Sequence, residues 1–214
     1  MKKIIIIDDH QLLREGINSW VSVNSDWQIL AKLGNLEEVK AFIESYKPSQ
    51  TDCVVAIVDL SFKVSGVNTE KLYGFEILKM FKNPELNIKT LVYSSHESGG
   101  IIAHSLSKEI GACGYVSKNS DCNEILTALE AIAKGEKFIQ PNLLTSYINA
   151  QTKLNLLTHR EKEILNCVFA KYTNDEIAKN MNISKRSVEN YLSRVYDKTG
   201  TNNKQQLLEY LEKN

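Results

Sequence analysis

The sequence has no net charge, no C-x-x-C pair of cysteines and no long apolar run. Its four cysteines, Cys53, Cys113, Cys122 and Cys167, have no histidine partners nearby, which favours reduced, mostly buried thiols. No apolar run approaches the roughly 20 residues that a membrane helix needs. The apolar stretch at residues 4–7 runs directly into two aspartates, unlike a signal peptide. We therefore expect a soluble cytoplasmic protein without a membrane partner.

Charge is unevenly distributed along the 214 residues. Residues 1–152 carry 15 basic and 18 acidic side chains, a net charge of −3, whereas residues 153–214 carry 11 and 8, a net charge of +3. The length accommodates one large domain or two small ones. The asymmetry is small, but its sign fits an acidic regulatory body followed by a tail that binds DNA.

Apolar runs typical of strands alternate with helical periodicity through the first two-thirds of the chain. The run at residues 4–7 is continuously β-branched, which suits a strand covered on both faces. Five such strands interleaved with five helices predict a doubly wound parallel sheet of the α/β class, a (βα)5 domain. The predicted strands lie at residues 4–7, 27–32, 53–58, 90–93 and 115–116, and the helices at about 12–21, 36–46, 72–81, 101–110 and 123–133.

Polar side chains stand at the carboxyl ends of four predicted strands: Asp8 with Asp9, Asp59, Ser94 and Lys118. In open parallel sheets the working site lies outside these ends. Three carboxylates brought together need a countercharge, and Mg²⁺ takes such oxygen ligands. An aspartate beside Mg²⁺ can act as a nucleophile toward a phosphoryl group, while lysine and serine can bind the phosphoryl oxygens. The pattern therefore predicts a metal and phosphoryl site.

The last third of the chain shows short helices with capping signals. Residues 135–153 have the composition of a linker, part of which can form a short helix at 143–148. Thr158 and Thr173 each stand three residues before a glutamate, the spacing of a capping box, and Gly200 fits the residue after a helix. The sequence therefore predicts a small all-α four-helix domain at residues 154–214, with a helix-turn-helix. Its helices lie at about 159–170, 174–181, 185–199 and 203–212.

Residues 2–133 resemble the receiver domain of bacterial two-component response regulators, which implies a receiver domain over residues 1–134. The resemblance is carried by Asp8-Asp9, Asp59-Leu60, Ser94-Ser95 and the sequence YVSK at residues 115–118.

The resemblance implies a role for each residue at the strand ends. Asp59 is then the phosphoacceptor and Asp9 a direct Mg²⁺ ligand, while Asp8 assists through water and through Lys118. The main-chain carbonyl of Ser61 completes the protein ligands.

The loop after Asp59 departs from the family pattern. Family members have Met-Pro and then Gly in a short loop, whereas here the Met-Pro is absent and several more residues precede Gly74. Longer loops close at little extra entropic cost, so we expect the fold to be retained. We expect the rate of dephosphorylation and the contacts with partners to differ.

Residues 154–214 resemble the LuxR-type helix-turn-helix of the NarL/FixJ class of response regulators. The resemblance is carried by LTHRE at 157–161, TNDEIA at 173–178 and ISKRSVENYL at 183–192. It implies that the helix at 185–199 binds double-stranded DNA. Its basic residues suit phosphates and Asn190 suits adenine, while Glu189 either reads cytosine or pairs with Arg186 or Arg194. The candidate DNA-binding residues are Lys185, Arg186, Glu189, Asn190, Ser193 and Arg194.

The two resemblances together predict a phosphorylation-controlled regulator of transcription and not an enzyme. A sensor histidine kinase is expected to phosphorylate Asp59, the switch pair Ser94 and Tyr115 then rearranges, and the active form is a homodimer on DNA. One alternative is a DNA-binding regulator with an atypical receiver that works without phosphate. The other is a phosphatase with an aspartate nucleophile, although such hydrolases usually have an acidic residue where this chain has Ser61.

Overall fold

A six-stranded parallel sheet forms the first part of the chain in this computed structural model, which describes residues 1–61 and 72–213. The strands are β1 Lys2–Ile7, β2 Gln28–Leu33, β3 Cys53–Val58, β4 Ile88–Ser94, β5 Gly114–Ser117 and β6 Phe138–Ile139. Their order across the sheet is β2-β1-β3-β4-β5-β6, with all neighbours parallel. This is the strand order of a doubly wound α/β sheet, as predicted.

Helices connect most of the strands and continue after the sheet. They are α1 Gln11–Asn24, α2 Leu36–Ser45, α3 Gly74–Phe81, α4 Gly99–Ser105, α5 Asn123–Ala133, α6 Leu144–Leu154, α7 His159–Phe169, α8 Asn174–Met181, α9 Lys185–Thr199 and α10 Lys204–Lys213. On one face of the sheet, Ile17 of α1 and Leu129 of α5 share a core cluster with Ile4 and Ile6 of β1. On the other face α3 contacts β3 and β4. Because both faces are covered, the four isoleucines of β1 are at most 1% exposed.

The register of the sheet aligns the ends of its strands. Ile7 at the end of β1 pairs with Val58 at the end of β3, and Ser94 of β4 pairs with Ser117 of β5. Three chain segments therefore leave the sheet at one edge, and their first residues are Asp8, Asp59 and Lys118.

The fourth helix is shorter than its apolar periodicity predicts. α4 ends at Ser105, although the pattern predicted helix to residue 110. The chain turns instead, and the amide of Ala112 donates to the carbonyl of Ser105 at 3.0 Å. Leu106 and Ile110 in this turn are still buried. The periodicity therefore indicated which side chains are buried and not where the helix ends.

The segment predicted as a linker at residues 135–153 contains regular structure. β6 adds a sixth strand that pairs with β5, and α6 runs to Leu154, well beyond the short helix predicted at 143–148. A strand of two residues is too short to show an alternating pattern, so no sequence pattern indicated it.

The helices of the last third carry the predicted caps. Thr158 and Thr173 accept hydrogen bonds from the amides of Glu161 and Glu176, and each glutamate binds back to the amide of its threonine, so both capping boxes are confirmed. Gly200 ends α9 in the left-handed conformation, with φ of 74°. Helices α7 to α10 lie within one or two residues of their predicted bounds.

The chain divides into two compact units. One comprises Met1–Ser95 and His104–Pro141, and the other His96–Ala103 and Asn142–Asn214. Within the described residues, no helix combines the length and the apolar character needed to cross a membrane.

The prediction that the cysteines are mostly buried is wrong. All four are free thiols, of which Cys167 is buried, Cys53 and Cys113 are partly exposed and Cys122 is exposed. Cys122 is exposed because it stands at the N-cap of α5, outside the core.

Candidate functional site

Four side chains that follow β1 and β3 form a cluster of possible metal ligands. Asp8, Asp9 and His10 follow β1, Asp59 follows β3, and their ligand atoms all lie within 4.8 Å of one another. The amide of Asp59 donates to the carbonyl of Ile7 at 2.9 Å, so the pairing of the two strands continues into the cluster. Asp8 and Asp59 are each 2% exposed. The sheet therefore holds these carboxylates at its edge, largely out of the solvent.

Lys118 supplies the positive charge beside these carboxylates. Its Nζ lies 2.6 Å from Oδ2 of Asp8 and 3.0 Å from Oδ2 of Asp59. Its amide donates to the carbonyl of Ser94 at 2.9 Å, which ties its backbone to the end of β4. The fold thus brings together three side chains that lie as far as 110 residues apart in the sequence.

The environment of Asp59 disfavours its charged form. Burial raises the pKa of the Asp59 carboxyl and the nearby Asp8 raises it further, while Lys118 and the backbone of Ser61 act in the opposite direction. The net result is a pKa above the ordinary value, because one lysine does not offset burial together with a second carboxylate.

Several carboxylate oxygens in the cluster have unused capacity to bind a cation. Oδ1 of Asp9 and both carboxylate oxygens of Asp59 are buried and accept no hydrogen bond of normal geometry from the described residues. Buried polar atoms are nearly always satisfied. A hard divalent cation with oxygen ligands would satisfy these atoms, so the residues present fit Mg²⁺.

Gly74 at the start of α3 lies against the backbone of Asp59. A Cβ atom at this position would stand 2.3 Å from the carbonyl oxygen of Asp59 and 2.5 Å from Cα of Leu60. Any larger residue would displace the chain that carries the carboxylate. The unusual loop before Gly74 was predicted to alter dephosphorylation, and its residues 62–71 lie outside the described residues.

The two residues predicted to form a switch are both completely buried. Ser94 is the last residue of β4, and Tyr115 pairs with Val92 and with Ile139 inside the sheet. Tyr115 therefore occupies an inward position in this structure.

Two residues near the start of α1 also contact the cluster, although the sequence pattern did not indicate them. Nδ1 of His10 lies 3.1 Å from Oδ1 of Asp8 and 3.2 Å from Oδ1 of Asp9. Nη1 of Arg14 donates to the carbonyl of Asp8 at 2.5 Å. The guanidinium lies over Gly34, where a Cβ atom would come within 2.9 Å of it. The available signal was their position within six residues of the aspartates.

Gln140 is a third contact that the sequence pattern did not indicate. Its side-chain Oε1 accepts a hydrogen bond from the buried amide of Ser117 at 2.8 Å, and its own amide donates to the carbonyl of Tyr115 at 3.1 Å. Gln140 is 7% exposed. It therefore braces the end of β5 from which Lys118 emerges.

The candidate DNA-binding residues lie on the solvent-exposed side of α9. All six, from Lys185 to Arg194, are exposed. Val188, Leu192 and Val195 on the opposite side are buried, and α9 contacts both α7 and α8. The helix therefore separates a packing side from a polar side.

Two acidic residues interact with Lys185, one of these exposed basic residues. Nζ of Lys185 lies 3.0 Å from Oδ2 of Asp175 in α8. The hydrogen bond to Asp175 raises the pKa of Lys185, and the charge of Glu189 adds a smaller contribution. Glu189 therefore acts on Lys185, a partner that the sequence pattern did not indicate. The guanidinium of Arg194 lies 5.1 Å from the ring centre of Tyr191.

An ion pair between a partly exposed lysine and a buried glutamate fixes α9 against the start of α7. Nζ of Lys198 donates to Oε2 of Glu161 at 2.7 Å, and Glu161 is 1% exposed. Burial alone would raise the pKa of Glu161, but hydrogen bonds from Lys198 and Thr158 outweigh it and hold the pKa below its ordinary value. Lys198 thus stabilises the packing of α9 against α7.

Two family models match the chain. The response regulator receiver domain matches residues 4–130, and the luxR family of bacterial regulatory proteins matches residues 155–211. The chain belongs to the response regulator family. Its receiver is followed by a domain of the luxR family.

This response regulator is similar over nearly its whole length to curated relatives. It is 27% identical over 227 residues to the transcriptional regulatory protein DegU of Brevibacillus brevis, across 95% of this chain and 90% of that protein. It is 29% identical over 222 residues to the oxygen regulatory protein NreC of Staphylococcus aureus, across 97% of this chain and 95% of that protein.

Solved structures show the same fold. RcsB of Salmonella enterica serovar Typhimurium, bound to promoter rprA in the presence of the phosphomimetic BeF3⁻, aligns over 100% of both chains with a TM-score of 0.67 and 22% identity. A two-component response regulator of the LuxR family from Aurantimonas sp. SI85-9A1 aligns over 70% of this chain and 97% of that chain, with a TM-score of 0.56 and 21% identity.

Proposed function

We propose that this response regulator controls transcription through phosphorylation of Asp59. The observation that carries the proposal is the Asp59 carboxylate, buried at the edge of the sheet with Nζ of Lys118 at 3.0 Å from Oδ2. Phosphorylation would add negative charge at Asp59, and the ammonium group of Lys118 beside it can stabilise that charge. The luxR-family domain on the same chain supplies an output.

In the proposed reaction a sensor histidine kinase is the phosphodonor. A carboxylate oxygen of Asp59 attacks phosphorus, the new O–P bond forms, the N–P bond of the phosphohistidine breaks, and a proton goes to the released imidazole nitrogen. Lys118 binds the phosphoryl oxygens as a point charge, and the hydroxyl of Ser94 donates a hydrogen bond to one of them.

Asp9, Asp59 and the main-chain carbonyl of Ser61 are the proposed ligands of Mg²⁺. Asp8 assists through water and through its contact with Lys118. The buried oxygens of Asp9 and Asp59 that accept no hydrogen bond of normal geometry from the described residues support this assignment. When bound, Mg²⁺ supplies positive charge that neutralises the phosphoryl oxygens.

The proposed output is binding of double-stranded DNA by α9. Lys185, Arg186 and Arg194 suit phosphate oxygens, while Asn190, Ser193 and Glu189 suit base edges. In this proposal the receiver comprises residues 1–134, the linker 135–153 and the DNA-binding domain 154–214. Rearrangement of Ser94 and Tyr115 on phosphorylation favours a homodimer, whose two α9 helices bind half-sites about one helical turn of DNA apart.

Phosphorylation of an Asp59→Asn variant tests the proposal directly. With a radiolabelled phosphodonor and Mg²⁺, the parent chain is expected to take up label and the variant is not. Burial and Asp8 raise the pKa of Asp59, so asparagine removes an unfavourable charge and the variant should be at least as stable as the parent. Loss of label is then not a folding defect.

A matched control is Asp26→Asn, because the Asp26 side chain is 77% exposed and lies outside the cluster. This variant should take up label as the parent does. Normal labelling of Asp59→Asn would show that another residue is the acceptor.

A further inference from the structure

His10 brings a nitrogen ligand atom to a cluster that otherwise offers oxygens. Its Nδ1 lies 3.1 Å from Oδ1 of Asp8 and 3.2 Å from Oδ1 of Asp9. The oxygens of Asp59, which are buried and accept no hydrogen bond of normal geometry from the described residues, belong to the same cluster. All the ligand atoms of the cluster lie within 4.8 Å of one another. The His10 side chain is 57% exposed, so its ring can adjust without disturbing the core.

The spacing of these atoms fits neighbouring positions of an octahedral site. Metal–nitrogen and metal–oxygen bonds of about 2.1 Å at right angles place two ligand atoms about 3.0 Å apart. The distances from the His10 nitrogen to the two carboxylate oxygens, 3.1 and 3.2 Å, are close to this value. Little movement is therefore needed for one cation to bind His10 and Asp9 together.

The imidazole is not needed to satisfy Asp8. The backbone amide of His10 already donates to Oδ1 of Asp8 at 2.8 Å, and Lys118 pairs with Oδ2. The ring also makes no capping hydrogen bond at the start of α1. The position of the ring beside two carboxylates therefore favours a role in binding a cation over a role in stabilising the turn.

We propose that His10 is a ligand for first-row transition metals such as Co²⁺ and Ni²⁺, bound together with Asp9 and Asp59. Imidazole nitrogen suits these cations, whereas Mg²⁺ prefers oxygen ligands throughout. The proposal rests on the metal site of the proposed function and extends it. The cluster then distinguishes two classes of divalent cation, and His10 sets the preference between them.

The test measures the affinities of the untagged full-length chain for Co²⁺ and for Mg²⁺ by calorimetry. His10→Gln should lower the ratio of Co²⁺ affinity to Mg²⁺ affinity by at least about tenfold, because loss of even an outer-shell partner of a metal ligand typically costs that much. In proton NMR of the Co²⁺-loaded chain, coordination through Nδ1 should shift the exchangeable Nε2 proton of His10 far outside the ordinary range. That resonance should be absent from the variant.

His159→Gln is the matched control, because the His159 side chain is 81% exposed and lies on α7. It should leave the affinity ratio unchanged. The proposal is overturned if His10→Gln leaves the ratio as in the parent, or if the shifted resonance survives in that variant. Asp59→Asn separates this outcome from the failure of the proposed function. If that variant binds both cations as the parent does, the metal site itself is misplaced.

Discussion

At the scale of single residues, Gln140 connects the site to the segment that follows the sheet. It accepts from the amide of Ser117, the residue before Lys118. Gln140→Leu would leave that buried amide without this acceptor, which we expect to cost about 1–3 kcal/mol in the free energy of unfolding. Urea unfolding measures the change.

The control for Gln140 is Gln28→Leu, because Gln28 is exposed on the edge strand β2. That substitution should change the free energy of unfolding by less than about 0.5 kcal/mol. Equal effects of the two variants would mean that the Gln140 hydrogen bond does not support β5.

His104 makes the stability of the chain depend on pH. Burial, together with a smaller effect of the charge of Lys79, lowers its pKa to about 3. The ring packs edge-on against Phe75 at 4.7 Å between centres. Below about pH 6.5 the unfolded chain takes up a proton at this residue while the folded chain does not. The stability that the neutral, buried His104 contributes to the folded chain is therefore fully present above pH 6.5, and it is lost progressively as the pH falls toward 3.

Between pH 7 and pH 5, the parent chain should lose about 2 kcal/mol more of its unfolding free energy than a His104→Gln variant loses. Urea unfolding at the two pH values gives this difference. Asp59, whose pKa is raised, stabilises the folded chain as the pH falls, but it contributes equally to both proteins. If the unfolding free energies of parent and variant depended identically on pH, His104 would not be the residue responsible.

At the scale of elements, two of the left-handed residues among the described helices α7 to α10 differ in kind. Lys171 between α7 and α8 has φ of 57°, and Gly200 after α9 has φ of 74°. A side chain in this region costs about 1–2 kcal/mol, whereas glycine is free of the clash. Lys171→Gly should therefore stabilise the chain by up to about 1 kcal/mol.

Gly200→Ala should destabilise the chain by about 1 kcal/mol, since it introduces the same clash. Apart from its neighbours in the chain, no heavy atom of the described residues lies within 4 Å of the position that a Cβ atom would occupy at Gly200. The effect is therefore one of backbone conformation. Thermal unfolding of the two variants should show shifts of opposite sign. Shifts of the same sign would rule out this explanation.

Elements whose signals are local could be predicted from the sequence. The capping boxes at Thr158 and Thr173 are complete within four residues, and β1 is a continuous β-branched run, so both were identified. The end of α4 and the presence of β6 were not, because they depend on tertiary contacts. Burial of Ile110 requires no helix, and β6 exists because β5 offers it an edge.

At the scale of the whole molecule, strand order explains how much of the candidate site could be predicted. In a parallel sheet the carboxyl ends meet at one edge, so Asp8, Asp59 and Lys118 could be grouped from the sequence alone. The contacts of His10, Arg14 and Gln140 could not be foreseen, because they depend on the path of the chain around that edge.

The central claim is that chemistry at Asp59 controls binding of DNA by the helical tail. The most direct measurement is the affinity of the full-length chain for a duplex selected from a random pool, with Mg²⁺ and with or without beryllofluoride, a mimic of the phosphoryl group. We predict an increase of about tenfold on adding beryllofluoride, a typical coupling between two sites, together with a doubling of molecular mass. Asp59→Asn should show neither change. Unchanged affinity and mass in the parent chain would contradict the account and favour a regulator that works without phosphate.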